Sequence, residues 1–215
     1  MDLMEMAASL IEGDAPSVKE LTEKALAEGI EPARIVNEGL IPGMSEVGRR
    51  FKAGEFYLPE VLIAARAMHA GLDIVKPLFS RYDFKPVGTV VLGTVKGDLH
   101  DIGKNLVGMM LEGAGFQVID MGVDVSPDKF VETVKERRSH VVAMSALLTT
   151  TMPSMKATIE ALKEAGLQGE VKVLVGGAPL TQRYADETRA DGYAPDAASA
   201  VDKARELLGI PPATK

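Results

Sequence analysis

Gly88-Thr89-Val90-Val91-Leu92-Gly93-Thr94-Val95, continued by Lys96-Gly97-Asp98-Leu99-His100-Asp101-Ile102-Gly103, is the stretch that decides the fold of this 215-residue chain. An apolar run of strand length, rich in β-branched residues, feeds a loop that holds one histidine framed by two aspartates and two glycines. Beyond Gly103 the apolar spacing turns helical, and the same strand-then-helix grammar repeats downstream. Strand-like runs at Phe116–Met121, Val141–Ser145 and Val171–Val175, with a short one near Asp191–Tyr193, alternate with helical stretches. The helices are predicted at about Ile102–Gly113, Pro127–Arg138, Met152–Ala165, Leu180–Thr188 and Asp196–Leu208. Such alternation is the signature of repeated strand-helix-strand units, and it predicts a five-stranded, doubly wound parallel sheet.

Upstream the grammar differs. From Met1 to about Tyr82 apolar residues recur at three and four positions and no strand run is evident, so this part reads as all-helical. Asp14, Pro16, Ser17 and Glu20 mark a helix start with its capping groups supplied, for a helix running to about Glu28. Glu31-Pro32 opens another, with Ile35, Leu40, Met44, Val47 and Phe51 on its apolar side, a bend at Pro42-Gly43 and an end near Gly54. After Leu58-Pro59 a last helix carries Val61, Leu62, Ala65, Met68, Leu72 and Val75 on one face and stops before Pro77. Four antiparallel helices make a small bundle. Pro77–Pro86, with Arg81, Asp83 and Lys85, breaks the periodicity and reads as linker; the domains are set at 1–82 (bundle), 83–87 (linker) and 88–215 (α/β).

Composition narrows the possible functions. The formal charge is −7 and basic residues are scattered rather than striped, which argues against nucleic acid as a partner. No segment reaches membrane-spanning length and no secretion signal is evident, so the cytoplasm is the expected compartment and no membrane the expected partner. With no cysteine and three histidines, His69, His100 and His140, a protein-only soft-metal cage is excluded. If His100 meets a metal, something else must fill the other positions, and a macrocycle already carrying its metal would do so. The eleven methionines read as core filler, and His69 and His140 have no supporting constellation.

In doubly wound sheets ligands sit outside the carboxyl ends of the strands. Three loops with chemistry converge there. The first carries Asp98 and His100, the second Ser145 through Thr151, and the third Gly176-Gly177-Ala178-Pro179. Taken singly each has an ordinary explanation: a surface histidine, a helix cap near Met152 from the threonine run, a glycine turn.

In this order and on this fold, the motifs Asp98-Leu99-His100-Asp101-Ile102-Gly103, Ser145-Ala146-Leu147 and Gly176-Gly177 resemble the cobalamin-binding domain shared by cobalamin-dependent methionine synthase and the corrinoid proteins of methyltransferase systems. Upstream, Phe51-Lys52-Ala53-Gly54-Glu55-Phe56-Tyr57-Leu58-Pro59 resembles the helical cap of the methyl-transferring members. The resemblance covers nearly the whole chain. It implies an α/β fold with an N-terminal four-helix bundle cap before a flavodoxin-like (Rossmann-like) cobalamin-binding domain.

It also implies roles. His100 is the metal ligand, binding cobalt from the lower face of the corrin in place of the cofactor's own base. Gly97, Leu99, Asp101, Ile102 and Gly103 form the loop around it, with Asp101 also reading as a helix-start residue. The displaced tail enters a slot lined by Ser145, Leu147, Thr149, Gly176, Gly177 and Ala178, with Tyr193 and Ala194 as further wall. Asp98 accepts the hydrogen bond of the imidazole nitrogen not on cobalt, and Thr151 matches the serine that completes the family's relay. Phe51, Leu58 and Leu62 cover the methyl group.

The implied function is a methyl carrier, not catalytic alone, that passes a methyl group through cob(I)alamin and methylcob(III)alamin in methanogenic or acetogenic one-carbon metabolism. Its partners are a substrate-specific methyltransferase, an acceptor methyltransferase using coenzyme M or tetrahydrofolate, and a reductive-activation protein. Methanol, methylamines, betaines and aryl methyl ethers are all possible donors. Two alternatives stay open: a subunit of an adenosylcobalamin-dependent mutase, which the helical cap disfavours, and a cobalamin-sensing regulatory protein, which the acidic charge disfavours.

Overall fold

The computed structural model describes residues 2–81 and 85–211. It divides into two compact units, one of residues 1–87 with 112–115 and one of the remainder. In the first, α1 (Leu3–Ile11) starts at Asp2, whose carboxylate accepts the Met4 N–H at 2.9 Å. Helix α2 (Ala15–Ala27) starts at Asp14, the first of the residues that mark the start in the sequence. Pro16 suits the first turn, where its missing N–H costs nothing. Ser17 instead donates both its N–H and its hydroxyl to the Asp14 carboxylate, at 3.1 and 2.6 Å.

The next helix is irregular where the sequence predicts a bend, but one turn earlier. It runs as α3 (Pro32–Ile35), a π-turn over Val36–Leu40, and α4 (Ile41–Lys52). Pro42 cannot donate a backbone bond and its ring crowds the carbonyl four residues back; the widened turn absorbs that conflict before the proline is reached. Helix α5 (Leu58–Val75) buries Val61, Ala64, Ala65, Met68, Leu72 and Val75 and packs chiefly on α2. Leu62, predicted on this face, is exposed. It lies about a hundred degrees from Val61 around the helix and shares a side with Leu58. As expected, α5 ends before Pro77, and the chain continues as a separate 3-10 segment, Lys76–Arg81, whose opening turn suits the fixed φ of proline. Within the predicted linker, Asp83 lies outside the described residues. Among those described, no helix is long and apolar enough to cross a membrane.

The second unit holds five parallel strands: β1 (Thr89–Thr94), β2 (Gln117–Asp120), β3 (Val141–Ser145), β4 (Lys172–Gly176) and β5 (Gly192–Ala194), in the spatial order β2-β1-β3-β4-β5. Helices α6 (Ile102–Gly113), α7 (Pro127–Arg137), α8 (Pro153–Glu164), α9 (Gln182–Thr188) and α10 (Ala197–Leu207) alternate with them. Val91, Val142, Met144, Val173 and Val175 pack with Phe130 of α7 and Met155 of α8 in one buried cluster. The strand order reverses between β1 and β3, so the loops that follow those two strands flank the crevice where such sheets take ligands. Register reinforces this. Thr94 pairs with Ser145, Ser145 with Gly176 and Gly176 with Ala194, giving one row across the carboxyl edge of four strands.

Candidate functional site

The site is built around a buried carboxylate. Asp98 has no exposed surface, and its Oδ1 lies 2.7 Å from Nδ1 of His100 and 3.1 Å from the His100 backbone nitrogen. Its Oδ2 accepts the Thr151 hydroxyl at 2.7 Å and the Leu147 and Leu148 N–H groups at 2.8 and 3.3 Å. Burial pushes this carboxyl up, but the Thr151 hydroxyl, the Leu147 N–H and the His100 ring and N–H together hold it well below the usual carboxylate range. A buried anion with that many donors welds the loop after β1 to the loop after β3.

The welded loops present an apolar platform. Leu99 and Ile102 are 71% and 73% exposed, Leu147 and Leu148 43% each, and no other large apolar side chain of the described second unit is exposed. The His100 ring stands among these loops, half exposed. Because an ionised Asp98 faces Nδ1, that nitrogen carries the proton, which leaves the Nε2 lone pair directed away from the carboxylate. Among the described residues no hydrogen bond engages Nε2. The Thr94 hydroxyl donates to the His100 carbonyl at 2.8 Å and fixes the backbone beneath the ring.

The other predicted residues fall into three groups. Gly97 adopts φ +85°, a left-handed conformation that glycine takes without strain. Asp101 starts α6, its carbonyl accepting the Asn105 N–H at 2.7 Å and its carboxylate the Asn105 amide at 3.2 Å. A β-carbon on Gly103 would meet nothing within 4 Å, so packing does not demand glycine there. At the far loops, Gly177 has φ +135°, and a β-carbon on it would fall 1.9 Å from the Ala146 carbonyl oxygen. Its lack of bulk is thus already required by the approach of two loops. Ser145, Gly176 and Ala178 lie along the same edge, Ala194 is buried in β5, and the Tyr193 hydroxyl donates to the Leu180 carbonyl at 3.0 Å. Thr149 is exposed. The threonine run does not cap α8; Met152 precedes that helix without a side-chain cap, because the Thr151 hydroxyl is turned to Asp98.

In the helical unit Leu58 and Leu62 are exposed and Phe51 is half-buried at the end of α4. His69 is half-buried on α5, and Nδ1 of His140 accepts the Thr89 N–H at 3.1 Å, an ordinary structural role. Four contributors escaped the sequence reading: Leu148 and Thr94, already described, Asp124, and Lys104. The Lys104 ammonium is buried, donating to Asn105 at 2.6 Å and pairing with Asp120 at the end of β2. A lysine in the first turn of a helix bound for the sheet was the available signal for it.

Among the described residues no three histidine or carboxylate side chains cluster to hold a bare ion. A lone imidazole nitrogen on loops with exposed apolar side chains fits instead a metal whose other positions a large ring already fills, and a β-carbon at Gly103, three residues on, would meet open space. Fold and site together define a flavodoxin-like α/β protein that presents an imidazole donor at the switch point of its sheet, an arrangement that a metallo-macrocycle would fit.

Comparison with known proteins agrees. Two family models, both described as B12 binding domain, match residues 88–202 and 3–76. The dimethylamine corrinoid protein of Methanosarcina barkeri is 47% identical over 207 residues, covering 96% of this chain and 97% of the relative. Trimethylamine corrinoid protein 1 of Methanosarcina acetivorans is 46% identical over 197 residues, 91% of each chain. Among solved structures, the methanol:cobalamin methyltransferase complex MtaBC of Methanosarcina barkeri superposes with a TM-score of 0.86 at 31% identity, over 95% of this chain and 78% of that one. The chain belongs to the family of B12-binding corrinoid proteins, and its cofactor is cobalamin.

Proposed function

We propose that this protein is a methyl carrier that holds cobalamin with the tail base off cobalt and His100 on it, and shuttles a methyl group from a substrate-specific methyltransferase to an acceptor methyltransferase. One observation carries the reading: an imidazole fixed at Nδ1 by a buried carboxylate stands with Nε2 free among the exposed apolar residues of the α/β unit. When bound, the corrinoid supplies a cobalt-centred nucleophile that accepts and releases the methyl group. Asp98 orients the ring and fixes its tautomer; the Leu147, Leu148 and Thr151 donors keep that carboxylate charged. The carboxylate 2.7 Å from Nδ1 would hold the ring in one orientation with Nε2 available to the metal.

Leu99, Ile102, Leu147 and Leu148 exclude water beneath the macrocycle. The row of Ser145, Gly176 and Ala194, with Thr149, Gly177, Ala178 and Tyr193, is assigned to the tail; its position at the carboxyl edge of the sheet supports this. The exposure of Leu58 and Leu62 on one side of α5 supports assigning them, with Phe51, to the methyl cap of a bundle spanning 1–82 and linked through 83–87.

The donor we propose is a methylated amine. Relatives named for dimethylamine and trimethylamine match this chain at 47% and 46% identity over at least 91% of its length, which supports this choice. The matched complex also pairs a corrinoid chain with its methyltransferase, which supports a methyltransferase as partner. To test the reading, cobalamin-loaded protein in its reduced form is mixed with isotopically labelled methylamines, with and without a methylamine methyltransferase. Label should reach the protein only when the enzyme is present. Rapid labelling without it, or none with it, would refute the shuttle.

A further inference from the structure

We infer that Asp124, in the loop between β2 and α7, is a positioning residue for the histidine ligand, acting on His100 through Asp98. Three non-glycine residues among those described have positive φ: Asp124, Arg138 and Arg189. Arg138 and Arg189 are explained as left-handed C-caps of α7 and α9. Asp124, at φ +55°, caps no helix, and its conformation needs another reason.

The reason lies in the turn that delivers Asp98. Residues 95–98 form a tight turn closed by the Asp98 N–H on the Val95 carbonyl at 3.1 Å, with Gly97 left-handed inside it. Asp124 grips that turn twice. Its Oδ1 accepts the Gly97 N–H at 2.7 Å, and its own N–H donates to the Asp98 carbonyl at 3.0 Å. One residue thus holds the peptide that follows the Asp98 Cα and the Lys96–Gly97 peptide one residue before it, while the peptide between them is held by the Val95 carbonyl. On the far side of that Cα the carboxylate sets the imidazole.

Asp124 is itself held by the sheet. The Val125 N–H donates to the Thr94 carbonyl, and the Thr94 N–H to the Gly122 carbonyl, each at 3.0 Å, extending the β1–β2 pairing up to the turn. The left-handed backbone turns both the amide and the carboxylate of Asp124 toward the turn, which an extended residue with alternating directions would not do. Rigid sheet, Asp124, Asp98 and His100 therefore form a chain of support in which each member fixes the next.

The inference rests on His100 being the cobalt ligand, and the experiment separates the two claims. Wild type, Asp124→Gly and Asp124→Asn are purified without cofactor, their melting temperatures measured, and then titrated with cobalamin while the visible spectrum records histidine coordination. Glycine accepts the left-handed backbone but removes the carboxylate, whereas asparagine keeps an acceptor oxygen and tolerates the same φ. Asp124→Gly should bind roughly ten-fold or more weakly, with a smaller histidine-coordinated fraction at saturation. Asp124→Asn should restore both to near wild type. Wild-type affinity and spectrum in Asp124→Gly would overturn the positioning role, as would equal losses in the two variants that merely track their melting temperatures. A wild-type spectrum without histidine coordination would instead fail the ligand assignment itself.

Discussion

At the scale of single residues, Asp98 is the hinge of the site. Buried and surrounded by donors, it couples His100 to a second loop, so losing one donor has a calculable cost. Thr151→Val removes the 2.7 Å hydroxyl and should lower the stability of the cofactor-free protein by about 1–2 kcal/mol, whereas Thr151→Ser should stay near wild type; urea unfolding distinguishes them. Gly103→Ala separates packing from binding. With nothing to strike in the cofactor-free protein, alanine in α6 should leave it equally stable or stabilise it by up to about 1 kcal/mol, yet weaken cobalamin binding by filling space beside His100. Chemical denaturation and a spectroscopic titration report the two effects, and unchanged binding would show that the space is not used. The motif residues of this site were legible because aspartate, histidine and glycine sit close together in one loop. Asp124 and Leu148 were not: one acts through a left-handed backbone and the other through an amide, and neither property is written in side-chain type.

At the scale of elements, periodicity foretold every strand and helix of the sheet unit because each is either a short apolar run or an amphipathic stretch bounded by turn residues. It failed where backbone detail decides. Gly177, assigned above to the wall of the tail slot, has a second reason to be glycine that periodicity does not show, because the Ala146 carbonyl forbids any side chain there. Gly177→Ala should therefore destabilise the protein by roughly 3 kcal/mol or more, from the clash together with the strain at φ +135°, even without cofactor. The turn from α4 into α5 carries a different device. Glu46 bridges Arg49 and Arg50 at 2.8 and 2.7 Å, and Arg49 reaches on to Glu55 at 3.3 Å. Hydrogen bonds from Arg49 and then Arg50 lower the Glu46 carboxyl to about 2. Its folded value is depressed, so its contribution is present above the ordinary glutamate range and is lost as pH falls through about 2. These side chains are partly exposed, so the contribution is about 1 kcal/mol or less. Wild type should exceed Glu46→Gln by that margin in urea unfolding at pH near 6, and the gap should close toward the acid end; a gap that widens there would contradict the assignment.

At the scale of the whole molecule, one unit supplies an imidazole on an apolar platform and the other exposes apolar residues on its last long helix. The sequence grammar changes after Tyr82, while the compact units fall at 1–87 with 112–115 and the remainder; the identity of the methyl donor is written in partners rather than in this chain. The central claim is that His100 holds cobalt, and it is tested most directly by electron paramagnetic resonance of the protein carrying unlabelled cobalamin in the cob(II) state, with the protein itself enriched in heavy nitrogen. The cobalt signal should show splitting from one nitrogen whose multiplicity changes with enrichment of the protein, and that splitting should vanish in His100→Ala. A splitting indifferent to protein enrichment, or one that survives in His100→Ala, would mean that the cofactor's own base or another residue is the ligand.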